Sequence, residues 1–171
     1  AMTRRAAADP ADELLDELRR VYRDADALHW GWSCPASTEC CRFGITGREP
    51  YVTSIELALL RRAIAARGGP RSWKRAAPVE GVEGDPARGS AGRVALPVVA
   101  DERTCPLLDT SGRCAAYDAR PLGCRTFYCD RAESGGKVKQ RDVNALVRRI
   151  QDIAAKHEVG GDKGRSLTCA F

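Results

Sequence analysis

Eight cysteines are the residues of this 171-residue chain best suited to chemistry, and seven of them fall into two groups. Cys34, Cys40 and Cys41 lie within eight residues, Cys105, Cys114, Cys124 and Cys129 lie within twenty-five, and Cys169 stands alone near the end. Brought together, the two groups make one thiolate site. Soft sulfur donors select zinc or iron–sulfur clusters over hard cations, and the sequence offers only two histidines as competing ligands. His29 and His157 are expected to be helix-end or surface imidazoles. One zinc takes four donors, so seven nearby thiols imply a polynuclear centre or several thiols that do not ligate. Adjacent side chains diverge by about 100° in a helix and point to opposite faces of a strand, so Cys40 and Cys41 are not expected to share one small ion. These considerations leave the metal open.

No apolar run follows the basic residues at the start, and no segment approaches the ~18 apolar residues of a membrane span. The expectation is a cytoplasmic protein that makes no use of a membrane. In a reducing compartment cysteines serve metals or thiol chemistry rather than disulfides. The net charge of +5 is carried mostly by arginine, scattered among acids rather than gathered into a stripe. Nucleic-acid binding is therefore possible but not favoured; the partner is expected to be an unidentified protein or small molecule.

Several elements must position the thiols. Asp9-Pro10 reads as a cap with proline in the first helical turn, and Leu14, Leu15, Leu18, Val21, Tyr22, Ala25 and Leu28 recur with helical spacing. Residues 29–43 have neither helical nor strand periodicity and are expected to be shaped by what they bind. Thr53 and Glu56 form a capping box before a second helix through Leu57, Leu60 and Ile64, which Gly68-Gly69-Pro70 stops. Residues 71–92 read as a long loop. Short β-like runs at 94–99 and 105–108, with Asp109-Thr110-Ser111-Gly112 as turn, predict a small hairpin. Residues 117–125 read as a helical turn. Val138, Val143, Leu146, Val147, Ile150, Ile153 and Ala154 mark a third helix ended by Gly160-Gly161. The expected fold is mainly α with a small β-hairpin (α+β): a disordered arm at 1–8, a single cysteine-cluster domain at 9–160, and a loose tail at 161–171.

In this setting the motifs resemble the YkgJ-type cysteine-cluster family of zinc- or iron-chelating domains. The family pattern is C-x-x-C-x-x-C-C, a threonine and glutamate opening a helix, C-P-x-L, a turn, G-x-C, Y-x-x-R-P and C-R. The chain has Cys34 to Cys41, Thr53 to Glu56, Cys105-Pro106-Leu107-Leu108, Gly112-Arg113-Cys114, Tyr117 to Pro121 and Cys124-Arg125 in that order, over about residues 34 to 129. Ser37 replaces the second cysteine of the first motif, and Cys129 or Cys169 is the candidate substitute. A further resemblance, to the cysteine region of flagellin lysine N-methylases, which are thought to use an iron–sulfur cluster with S-adenosylmethionine, tilts the expectation to iron. No glycine-rich nucleotide loop follows a predicted strand, so methylase activity is not expected, and whether the chain is an enzyme stays open. The resemblance implies an iron–sulfur cluster, with the 4Fe-4S form favoured and zinc as the alternative, and a metal site drawn from Cys34, Cys40, Cys41, Cys105, Cys114, Cys124 and Cys129.

Other side chains have secondary roles. Arg120 and Arg125 either neutralise a thiolate-rich centre and meet an anionic ligand, or pair with Asp109, Asp118 or Asp130. Tyr117 is expected to be a packed aromatic, and Trp30, Trp32 and Trp73 to cover the centre.

Overall fold

The computed structural model describes residues 10–29, 38–68, 103–109, 112–126 and 138–171. The fold is mainly α with a small two-stranded antiparallel sheet. Its framework is three helices: α1 (Pro10–Leu28), α3 (Ser54–Ala66) and α5 (Gln140–His157). In α1, Leu15, Leu18, Val21, Tyr22 and Ala25 form one buried stripe, and in α5 Leu146, Ile150, Ile153 and Ala154 do the same. Each stripe needs a partner, and α1 and α5 pack on one another and on α3. The central helix is α3, buried over more of its circumference through Ile55, Glu56, Leu57, Leu59, Leu60 and Ile64. Among the described residues, no helix is long and apolar enough to cross a membrane.

Much shorter elements carry the cysteines. A 3-10 turn at Glu39–Cys41 leads into α2 (Phe43–Thr46), and another at Tyr117–Ala119 precedes α4 (Leu122–Arg125). Phe43 and Leu122 anchor these pieces in the core. The described residues on either side of the expected turn are paired: the Asp109 amide donates to the Arg113 carbonyl at 2.8 Å, the Gly112 amide to the Asp109 carbonyl at 3.0 Å, and Leu108 and Cys114 form an antiparallel bridge. The β-like run at 94–99, the loop at 71–92 and the arm at 1–8 lie outside the described residues.

The two-stranded sheet is not that local hairpin. Strand β1 (Tyr51–Val52) pairs with β2 (Arg165–Ser166), Tyr51 opposite Ser166 and Val52 opposite Arg165. The tail expected to be loose is therefore tied down. Leu167, in α6 (Leu167–Ala170), is fully buried, and Asp162 accepts the Ser54 amide at 2.5 Å and the Gly164 amide at 2.8 Å. The first of these bonds satisfies an otherwise orphan donor at the start of α3 and puts negative charge where the helix dipole favours it. Glu49 accepts the Thr168 amide at 2.7 Å and its hydroxyl, closing the second end of the clasp.

Candidate metal centre

Backbone pairing delivers the thiols to one place. Residues 103–105 run against 41–44: the Cys105 amide donates to the Cys41 carbonyl at 2.7 Å, the Gly44 amide to the Arg103 carbonyl at 3.2 Å, and Arg42 bridges Thr104. This registers Cys105 beside Cys41. Residues 112–115 run back against 107–109, and the Ala115 amide bonds the Leu107 carbonyl at 2.7 Å, which sets Cys114 next to the same segment. Thr38, with φ 58°, takes a left-handed conformation that is strained for a β-branched residue and turns the chain into Cys40-Cys41.

The position of α4 depends on Glu56, a carboxylate only 3% exposed. One oxygen accepts the Leu122 amide at 2.9 Å and the Tyr22 hydroxyl at 3.1 Å; the other accepts the Thr53 amide at 2.9 Å and the Thr53 hydroxyl at 3.0 Å. Glu56 therefore completes the capping box of α3 while fixing the first residue of α4 to α1. Burial, followed by the Glu56 charge, holds the Tyr22 hydroxyl well above the ordinary tyrosine value. Arg125 lies over the Tyr22 ring, 4.4 Å from its centre. Gly123 faces Pro50, and a Cβ there would stand 2.8 Å from the Pro50 Cβ, so only glycine lets α4 approach this closely.

Five thiols, Cys40, Cys41, Cys105, Cys114 and Cys124, line one cavity of about 780 Å³. The Sγ atoms of Cys40 and Cys41 are 4.0 Å apart. The expected divergence of this adjacent pair is thus not observed, because the tight 3-10 turn brings the two sulfurs together. Two sulfurs on a tetrahedral zinc, each at about 2.3 Å, stand roughly 3.8 Å apart. Cys105 accepts the Leu107 amide at 3.4 Å, and Cys114 likewise accepts the Ala116 amide. Both bonds run from the residue two positions on, and hydrogen bonds to sulfur orient and tune thiolate ligands.

The thiols resist ionisation as they stand. Cys40 is pushed far up by its contact with Cys41 and then by burial; Cys41 is pushed up to about 12, chiefly by its contact with Cys105. Burial raises Cys114 and, more strongly, Cys124. Arg120 works in the opposite direction on Cys40, Cys114 and Cys124. Thiols of this kind become thiolates by binding a cation, which takes the place of the proton.

The donor types fit a thiolate-held metal group, and the described residues supply part of the expected set. Cys34, Cys129 and Ser37 lie outside the described residues, as do Trp30, Trp32 and Trp73. Among the described residues, no three Cys, His, Asp or Glu side chains are arranged to hold a metal ion. Cys169 is exposed in α6 and does not line the cavity, so it is not placed to substitute for the serine at position 37. Neither histidine lines it. His29 donates Nδ1–H to the Ala25 carbonyl at 2.6 Å, and His157 bonds the Ser54 hydroxyl at 2.9 Å.

The acidic partner of Arg125 differs from expectation. Arg125, its side chain 5% exposed, pairs with Asp26 at 2.7 Å rather than with the carboxylate of Asp109 or Asp118, while its other hydrogen bonds are to the carbonyls of Arg120 and Asp118. Arg120 donates Nε–H to the Tyr117 carbonyl at 2.9 Å and stacks 3.6 Å from the centre of the Tyr117 ring. Tyr117 is 43% exposed, an aromatic platform at the cavity edge rather than a core residue. Sequence reasoning also missed the hub role of Glu56, whose signal was a carboxylate placed among Ile55, Leu59 and Leu60 on a buried helix.

No family model, curated protein or solved structure matches this chain.

Proposed function

We propose that the chain is a YkgJ-type metal-binding protein whose cysteine cluster holds an iron–sulfur cluster, the four-iron form first, with a redox or modification role in the cytoplasm. The observation that carries this is the presence of five thiols from three separate segments around one cavity, two of them hydrogen-bonded by backbone amides. A mere reserve of buried free thiols does not require such convergence, whereas soft metal chemistry does. The ligands would come from Cys40, Cys41, Cys105, Cys114 and Cys124, with Cys34 and Cys129 completing the set.

Zinc is the alternative, and the 4.0 Å separation of the Cys40 and Cys41 sulfurs favours it, since that spacing suits two donors on one ion better than donors on different irons. Anaerobic purification, elemental analysis and electron paramagnetic resonance before and after reduction decide between them. Iron with inorganic sulfide, visible absorbance and a resonance in one redox state support the cluster. Colourless protein with stoichiometric zinc overturns the cluster in favour of zinc. Fully reduced protein with no metal overturns both.

A further inference from the structure

A second cavity, of about 840 Å³, lies between α1, the C-terminal end of α3 and the segment 116–125. We propose that it binds a small dianion through Arg23, Arg67 and Arg120, the shared chemistry being paired oxyanions as in a phosphate monoester or a dicarboxylate. Two of the arginines on this side are already neutralised: Arg19 pairs with Asp16 and Arg125 with Asp26. Among the described residues, Arg23 and Arg67 make no ion pair. Arg120 spends only its Nε–H on the Tyr117 carbonyl, and its stacking on the Tyr117 ring fixes the plane of the guanidinium. Its terminal amino groups are thus pre-oriented as a fork, the arrangement that matches carboxylate and phosphate oxygens. Three arginines against the single carboxylate of Asp118 leave an excess of two positive charges, which sets the charge of the occupant.

The walls provide the rest of a binding site. Leu59, Ala63 and Ala119 add apolar lining, and a few polar groups in a largely apolar lining are the usual composition of a small-molecule pocket. Arg67, Tyr117, Asp118 and Arg120 line the thiol cavity as well. An anion held here therefore sits beside the cysteines and shares Arg67 and Arg120 with their cavity, although none of its proposed contacts is a cysteine.

Isothermal titration of the full chain at low ionic strength, with inorganic phosphate and separately with succinate, tests the site. Saturable one-to-one binding of at least one is expected; tighter phosphate points to a phosphate monoester and tighter succinate to a dicarboxylate. Arg23→Gln and Arg67→Gln should each weaken binding by about ten-fold or more, which is the scale of one lost charged contact. Arg62→Gln, which removes a cation paired with Asp12 elsewhere, should leave it within about two-fold. Circular dichroism on each variant reports the fold. Absence of saturable binding by either anion in the parent, or undiminished binding in the folded Arg23→Gln/Arg67→Gln double variant, overturns the site. Metal content is measured on the same samples: metal without anion binding contradicts only this site, and anion binding without metal contradicts only the proposed centre.

Discussion

The three-helix framework and the cysteine-bearing segments are stabilised in different ways. In α1, α3 and α5 long apolar stripes bury one another, so ordering of the backbone is offset by apolar area removed from water. The described cysteine segments consist of turns and helices of three or four residues. Such pieces are too short to be stable alone. They are held by backbone bonds such as that from Cys105 to Cys41, by a few anchors such as Phe43 and Leu122, and, in the proposed function, by the metal. The framework thus rests on its own packing, while the cysteine region borrows order from its neighbours and, in the proposed function, from the metal.

Substitutions separate the two. The largest effect is expected at Glu56, which joins them. Glu56→Ala strands the Leu122 and Thr53 amides and the Tyr22 hydroxyl, at a cost on the order of 4 kcal/mol. Both urea stability and metal content should fall. Leu18→Ala, in the framework alone, should cost about 3 kcal/mol in urea unfolding yet leave metal per folded molecule unchanged. A parallel loss of metal would break the distinction between the regions. Gly123→Ala should cost about 2 kcal/mol by forcing α4 away from Pro50, and it should lower metal content because Cys124 rides on that helix.

The smallest effect concerns the tail clasp. Despite the opposing effect of burial, the Thr168 hydroxyl and amide hold the Glu49 carboxyl below its usual value. Folded protein then binds this proton less readily than the unfolded chain does. The contribution is present above the usual carboxylate pKa and is lost as pH falls through the lowered folded value. Between about pH 5 and about pH 3 the parent should lose more thermal stability than Glu49→Gln, by less than ~1 kcal/mol.

Helical periodicity made the framework legible: Leu15, Leu18, Val21 and Tyr22 in α1 and Leu146, Ile150 and Ile153 in α5 were identifiable as core from spacing alone. The Thr53–Glu56 box placed the start of α3. What spacing could not show were pairings between distant segments. Nothing local in Arg165-Ser166 signals that it meets Tyr51-Val52, and a short polar tail reads as loose until Leu167 is seen in the core. Likewise, cysteine spacing implied convergence of the two groups but not the 3-10 turn that draws the Cys40 and Cys41 sulfurs together. The arginine pairings went astray for the same reason, since Asp26 is 99 residues from Arg125.

X-ray absorption at the metal edge of anaerobically purified protein measures the ligand shell directly. An iron edge with a shell made only of sulfur, disrupted when Cys41 and Cys114 are both changed to serine, is the expected result. A shell of nitrogen and oxygen, or a sulfur shell unaltered in that double variant, would show that these thiols do not hold the metal.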